Sequence, residues 1–267
     1  MKKSFVVTAL FLFTFISVIA DNSGNVVVEG HYQGKNLYVK NSFGGSGVGF
    51  CVYEVTVNGE LSTDELNSSS FEIDFNNYNL KIGDPLLVTI KYKNDCEIRV
   101  LNPDVLKPKS TFNTSEINFS NSGVLNWTAT NETGQMDYIV EQFRWNKWVK
   151  VGEVRGKGVP GRHQYSFKIA PHSGTNKARV KQVDYTGNPR YSPSAEYNAE
   201  MAEISLEGKT KFKDEIVFVN GETLYELYDK YGNIVKQGFG KKANVSTLEK
   251  GTYYLSYDNK TETIAIR

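Results

Sequence analysis

The feature that most constrains this chain is a rhythm. Short runs rich in Val, Ile, Thr, Tyr and Phe recur along it, each cut off by Asn, Gly or Asp. Residues 50–57 (FCVYEVTV) and 86–93 (LLVTIKYK) alternate apolar and polar side chains, the period-2 pattern of a strand with one buried face. Gly44-Gly45, Asn58-Gly59, Asn76-Asn77 and Gly83-Asp84-Pro85 supply the turns between such runs. No helical periodicity of three turns follows residue 20. The pattern predicts an all-β chain of tandem β-sandwich domains.

The N-terminus reads differently. Lys2 and Lys3 precede an apolar run, residues 5–20 (FVVTALFLFTFISVIA), that ends in small side chains. This is the layout of a signal peptide over residues 1–20, with cleavage between Ala20 and Asp21. The run is short for crossing ~30 Å of hydrocarbon and has no basic stop-transfer cluster behind it. No later stretch is apolar enough to span a bilayer, so no transmembrane segment is expected in the mature chain. The expected location is secreted or cell surface, with the periplasm as the alternative. Losing Lys2 and Lys3 from 31 basic and 30 acidic residues leaves one more acid than base. A nearly neutral chain has no footprint for nucleic acid or anionic lipid.

Removing 20 of 267 residues leaves more chain than one sandwich needs. The strand-like runs divide it into a first β-sandwich over residues 21–106, a Pro- and Lys-bearing linker at 107–110, a second sandwich over 111–198 and a third β-domain over 203–267. Cys51 and Cys96 are the two cysteines. In an exported chain they are expected to form one disulfide, within or between the sheets of the first domain. Closing 44 intervening residues contributes about 4 kcal/mol in the chain-entropy model.

In the second domain, the segments Leu125-Asn126-Trp127-Thr128, Asp137-Tyr138-Ile139-Val140-Glu141, Trp148-Val149-Lys150-Val151-Gly152, Tyr165-Ser166-Phe167 and Arg179-Val180-Lys181-Gln182-Val183-Asp184-Tyr185-Thr186-Gly187, then Tyr191-Ser192, follow in order. This series resembles the fibronectin type III-like module that precedes the sorting domain of many proteins exported by the type IX secretion system. The last segment carries Tyr225, Leu227, Asp229, Gly232 and Val235, then Leu248, Gly251, Tyr253 and Leu255, then a terminal Thr263-Ile264-Ala265-Ile266-Arg267. That series resembles the type A C-terminal sorting domain of the same system. It lacks the opening Pro-Asn-Pro element and keeps one basic residue at its end. The resemblance implies outer-membrane secretion machinery as a partner, and it is silent about the first domain.

Catalytic residues are not found. His31, His163 and His172 lie in separate segments without partners at ligand spacing, and His163 and His172 read as surface turn residues. No nucleophile elbow or metalloprotease helix motif is present. The glycine run 44–49 leads into a strand, not a helix, so it is no phosphate loop. Asp64-Glu65, Asp74, Asp84, Asp137 and Asp214-Glu215 read as solvated loop charges. No metal site and no cofactor are expected. The candidate binding residues are Arg144, Trp145 and Lys147, on a hairpin turn where an exposed indole flanked by cations could stack on a glycan or anchor a protein ligand. The functional expectation is a non-catalytic binding, adhesion or structural protein exported by a type IX-like pathway. The alternatives are an envelope or motility subunit that keeps its C-terminal domain, and a carbohydrate-active hydrolase with its site in the first domain.

Overall fold

A computed structural model describes residues 23–45, 48–94, 96–208 and 210–267. The leader and its Ala20–Asp21 junction lie outside the described residues. Among the described residues all regular structure is strand, apart from two short 3-10 turns. Three separate apolar cores form along the chain, over residues 37–106, 112–195 and 204–266. Among the described residues no helix is long and apolar enough to cross a membrane.

In the first domain β1 (Ser23–His31), β6 (Pro85–Lys93), β3 (Val52–Val57) and β4 (Glu60–Leu61) form one antiparallel sheet, in that order. β5 (Ser70–Ile73), β2 (Leu37–Asn41) and β7 (Ile98–Val100) form the other. Alternation does what it predicts. Leu37 and Val39 on β2 face Val55, Val57, Val88 and Ile90 of the opposite sheet, within one core. Asn41, the next inward position, is buried but satisfied: its amide donates to Leu66 and Ser68 carbonyls and its oxygen accepts from the Val52 amide. The Cys51–Cys96 disulfide has a Cα–Cα separation of 5.6 Å. Cys51 leads into β3 and Cys96 leads into β7, so the bond ties one sheet to the other where the chain crosses between them.

The second domain stacks β12 (His163–Lys168), β9 (Val124–Thr130) and β8 (Asn113–Phe119) against a sheet of β11 (Lys147–Arg155), β10 (Asp137–Arg144) and β13 (Gly174–Val183). β14 (Pro189–Tyr191) and β15 (Ala195–Ala199) share the free edge of β13. Between them Ser192 pairs with Val180 on both sides: its amide donates to the Val180 carbonyl and its Oγ accepts from the Val180 amide. Trp127 is the centre of this core, stacked on Tyr165 with centroids 5.4 Å apart and edge-on to Tyr138 at 5.6 Å.

The third domain pairs a sheet ordered β17 (Lys211–Phe212), β23 (Lys260–Ile266), β22 (Gly251–Tyr257), β19 (Thr223–Tyr228) and β20 (Ile234–Gly240) with a smaller one of β16 (Ser205–Leu206), β18 (Glu215–Val219) and β21 (Lys242–Asn244). Two segments depart from what their local pattern suggests. Residues 211–220 look like one strand but serve two sheets: β17 pairs in parallel with β23, and the chain crosses layers at Lys213-Asp214 before β18 begins. Residues 244–248 look like a strand but turn after Asn244, because its side-chain oxygen accepts from the Ser246 amide and hydroxyl.

The first and second domains meet through glycines. A Cβ placed on Gly83 would lie 2.3 Å from the Gly158 carbonyl oxygen, and one on Gly134 would lie 2.3 Å from Pro108. Both glycines have positive φ, so neither the backbone nor the space admits a side chain. Gln33 adds a hydrogen bond across the joint to the Thr133 carbonyl.

Replacing Cys96 by Ser is expected to lower the stability of the first domain by about 4 kcal/mol and leave the other two unchanged. Urea unfolding followed by domain-resolved hydrogen exchange checks this. Equal loss in all three domains contradicts it.

Candidate functional site

The most elaborate polar cluster in the molecule lies at the end of the second domain that meets the third. It is built by strand periodicity. Tyr138, Val140, Gln142 and Arg144 lie on the inward row of β10, and Asn176, Ala178 and Val180 lie on that of β13. At this end of the domain both rows turn from apolar to polar as they leave the core. Gln142 donates to Asn176 Oδ1 at 2.7 Å and accepts from Arg144 Nε at 2.8 Å. Asn176 in turn accepts from the His172 amide and donates to the His172 carbonyl.

Arg144 is 2% exposed. Besides Gln142, its guanidinium donates to the Ala170 carbonyl at 2.6 Å and to the Asp258 carbonyl at 3.1 Å. Every acceptor is neutral. Burial therefore pulls its pKa down to about 10, with the charge of Asp258 acting weakly the other way.

Asp258 belongs to the third domain, on the hairpin turn between β22 and β23, and is fully buried. Its carboxylate accepts from the Ser173 amide at 2.7 Å, the Ser173 hydroxyl at 2.6 Å and the Ile204 amide at 3.2 Å. Its own amide donates to Thr223 Oγ1. Its carbonyl accepts from Arg144 and from the Trp145 indole at 3.2 Å. One residue thus ties together β10 and Ser173 of the second domain, the connecting segment at Ile204 and β19 of the third.

Arg144 and Lys147 close the β10–β11 hairpin as a cross-strand pair, leaving Trp145 and Asn146 as its turn. Both have positive φ, 51° and 60°. Such turns favour Asn and Gly. A tryptophan there is strained by about 1–2 kcal/mol, so something must hold it. What holds it is the third domain. The indole is half-buried and bonded to the Asp258 carbonyl, while Lys147 Nζ reaches Glu226 Oε2 and the Tyr228 hydroxyl, each at 2.5 Å. Burial alone would lower the Lys147 pKa, but its bonds to Glu226 and Tyr228 outweigh it and leave it raised. The three residues expected to form an exposed binding turn therefore lie together on the interdomain face, where their polar atoms are engaged.

The histidines fall apart from one another, and neither His163 nor His172 is a surface turn residue: His163 opens β12, half-buried, and His172 is buried. His163 bonds the nearby Val159 carbonyl. His172 is buried beside Arg144 and Asp258, with its pKa lowered chiefly by burial. His31 is half-buried, and burial lowers its pKa too. Among the described residues no cluster of His, Cys, Asp or Glu could hold a metal ion.

Eight of the nine residues matching the sorting series have structural work. Tyr225, Leu227, Tyr253 and Leu255 are core, with Leu248 packed on it. Asp229 accepts from the Tyr231 and Asn233 amides to close the β19–β20 turn, where Gly232 takes a φ of 85°. Gly251 opens β22, and Val235 faces solvent on β20.

No protein-family model matches the chain, and no curated protein sequence matches it. Among solved structures, the fibronectin(III)-like modules of Clostridium thermocellum CbhA match with 12% identity and a TM-score of 0.22, over 58% of this chain and 93% of theirs. A tetra-tandem repeat from the extending region of a large adhesion protein matches with 12% identity and a TM-score of 0.27, over 92% of this chain and 74% of its own. The chicken CNTN1 FN1–FN3 domains match with 11% identity and a TM-score of 0.24, over 90% and 97%. At TM-scores this low the matches carry no argument about function.

Replacing Arg144 by Leu strands the Gln142, Ala170 and Asp258 oxygens. The expected loss is about 2–4 kcal/mol, together with faster proteolysis of the connection at residues 199–203. Urea unfolding and timed limited proteolysis of the full chain check it. Unchanged cleavage contradicts the role given to Arg144.

Proposed function

We propose that the protein is a non-catalytic surface or extracellular protein in which the three β-domains form a jointed scaffold and the C-terminal domain is retained as a working part. The observation that carries this reading is the burial of Asp258 between the second and third domains. A detachable tail needs a loose tether. Here removal of residues 203–267 would leave Arg144, Trp145, Lys147 and Ser173 without their partners.

The fibronectin type III-like character of the second domain and export through a type IX-like pathway come from the sequence resemblance. In this proposal the outer-membrane secretion machinery recognises the third domain without discarding it. The reading favours an envelope or adhesion subunit over a soluble secreted effector. The first domain, held by its disulfide and set against the second by glycine contacts, is the part presented outward.

Intact-mass measurement of protein from the cell surface and from the medium tests this. The expected mature species begins at Asp21 and runs through Arg267. A dominant surface species lacking residues 203–267 overturns the retained-domain reading. Equal surface delivery of a chain truncated after Ala202 removes the sorting role.

A further inference from the structure

Beside the clasp the two domains leave a cavity of about 310 Å³, within the size range of small-molecule sites. Its walls come from both domains: Phe143, Trp145, Asn146 and Thr175 from the second, Asn259 and Lys260 from the third. Arg144 and His172, both buried, line its inner end.

Four properties of this lining point the same way. First, its lining contains no carboxylate, and although Lys260 is paired with Glu203 and Glu262 behind the rim, Arg144 has no such partner. Arg144 spends three of its five N–H bonds on neutral oxygens, and the carboxylate of Asp258, the acid that acts on it, is turned to Ser173 and Ile204. A buried guanidinium without a direct ion pair favours an anionic guest. Second, Trp145 offers an aromatic surface, and its only polar atom is already bonded to the Asp258 carbonyl. Third, the rim carries the amide of Asn146, the amide oxygen of Asn259, whose nitrogen is held by Ser173, and the hydroxyl of Thr175, which suit a ligand rich in hydroxyls. Fourth, the two residues in left-handed conformation at the β10–β11 turn, Trp145 and Asn146, both face this cavity. Such strain concentrates where a ligand is gripped.

We infer that the cavity between the second and third domains binds a carboxylate-bearing saccharide, with the sugar ring against Trp145 and the carboxylate toward Arg144. This rests on the reading of the chain as a non-catalytic binding scaffold with its third domain in place, because neither domain forms the cavity alone.

Thr175 is an exposed residue on the rim that takes no part in the clasp. The test uses the full mature chain, calorimetric titration and Trp fluorescence. The probes are short galacturonate, mannuronate and sialyl oligosaccharides, with galactose oligomers of equal length as the uncharged control. At least one acidic probe is expected to bind about tenfold or more tightly than the neutral control. Thr175→Glu, which sets a like charge against the carboxylate, is expected to weaken that binding about tenfold. Thr175→Gln, similar in size but uncharged, removes the rim hydroxyl without adding charge and is expected to weaken binding far less than Thr175→Glu does. The inference is overturned if no acidic probe binds, if acidic and neutral probes bind equally, or if Thr175→Glu binds as well as the parent. Circular dichroism and melting of both variants establish that they fold. A cavity that binds no saccharide leaves the retained-domain reading standing, because that reading is scored by mass.

Discussion

Asp258 is the residue on which the arrangement of the second and third domains depends. Its carboxylate, amide and carbonyl are all used, and each points to a different part of the chain. Taking a carboxylate out of water is costly unless its lone pairs are met by donors. Three donors meet this one, two of them backbone amides that cannot swing away. The cost of a buried charge becomes orientational information: the domains fit in the geometry that satisfies Asp258, and any other leaves it bare.

The two joints use different physics. Between the first and second domains, glycines let backbones touch, so the contact is steric. Between the second and third, buried polar groups are matched one to one, with Arg144 on one side and Asp258 on the other. Such networks are sensitive, since losing one member strands several others. They add less net stability than an apolar contact of the same size. The matching therefore serves alignment more than strength, as suits a scaffold whose binding cavity is walled by both domains.

Much of the fold was legible because alternation is local. The runs around Val55, Ile90, Trp127 and Leu255 each announce a strand with one buried face, and the cysteine pair announces a staple. Failures came where the partner is distant. The sequence places Arg144, Trp145 and Lys147 on a turn, and turns are ordinarily wet. The residues that cover this one lie 79 to 114 positions further on. His172 was misread for the same reason. One local signal was present: Trp-Asn occupies a two-residue hairpin turn where Asn-Gly would be comfortable. Asp258-Asn259, at the tip of the β22–β23 hairpin, is the matching half, with a positive φ at the aspartate.

Amide hydrogen exchange at Ser173 and Ile204 tests the central claim most directly. Both amides sit in connecting segments and donate to the Asp258 carboxylate. Exposed connections exchange through local fluctuation, whereas groups locked in an interface open only with it. If Asp258 fastens the domains, both amides exchange as slowly as the strands of the third domain, and Asp258→Ala releases both together. If they exchange at the rate of exposed loops in the unmodified protein, the two domains are not clasped and the account fails.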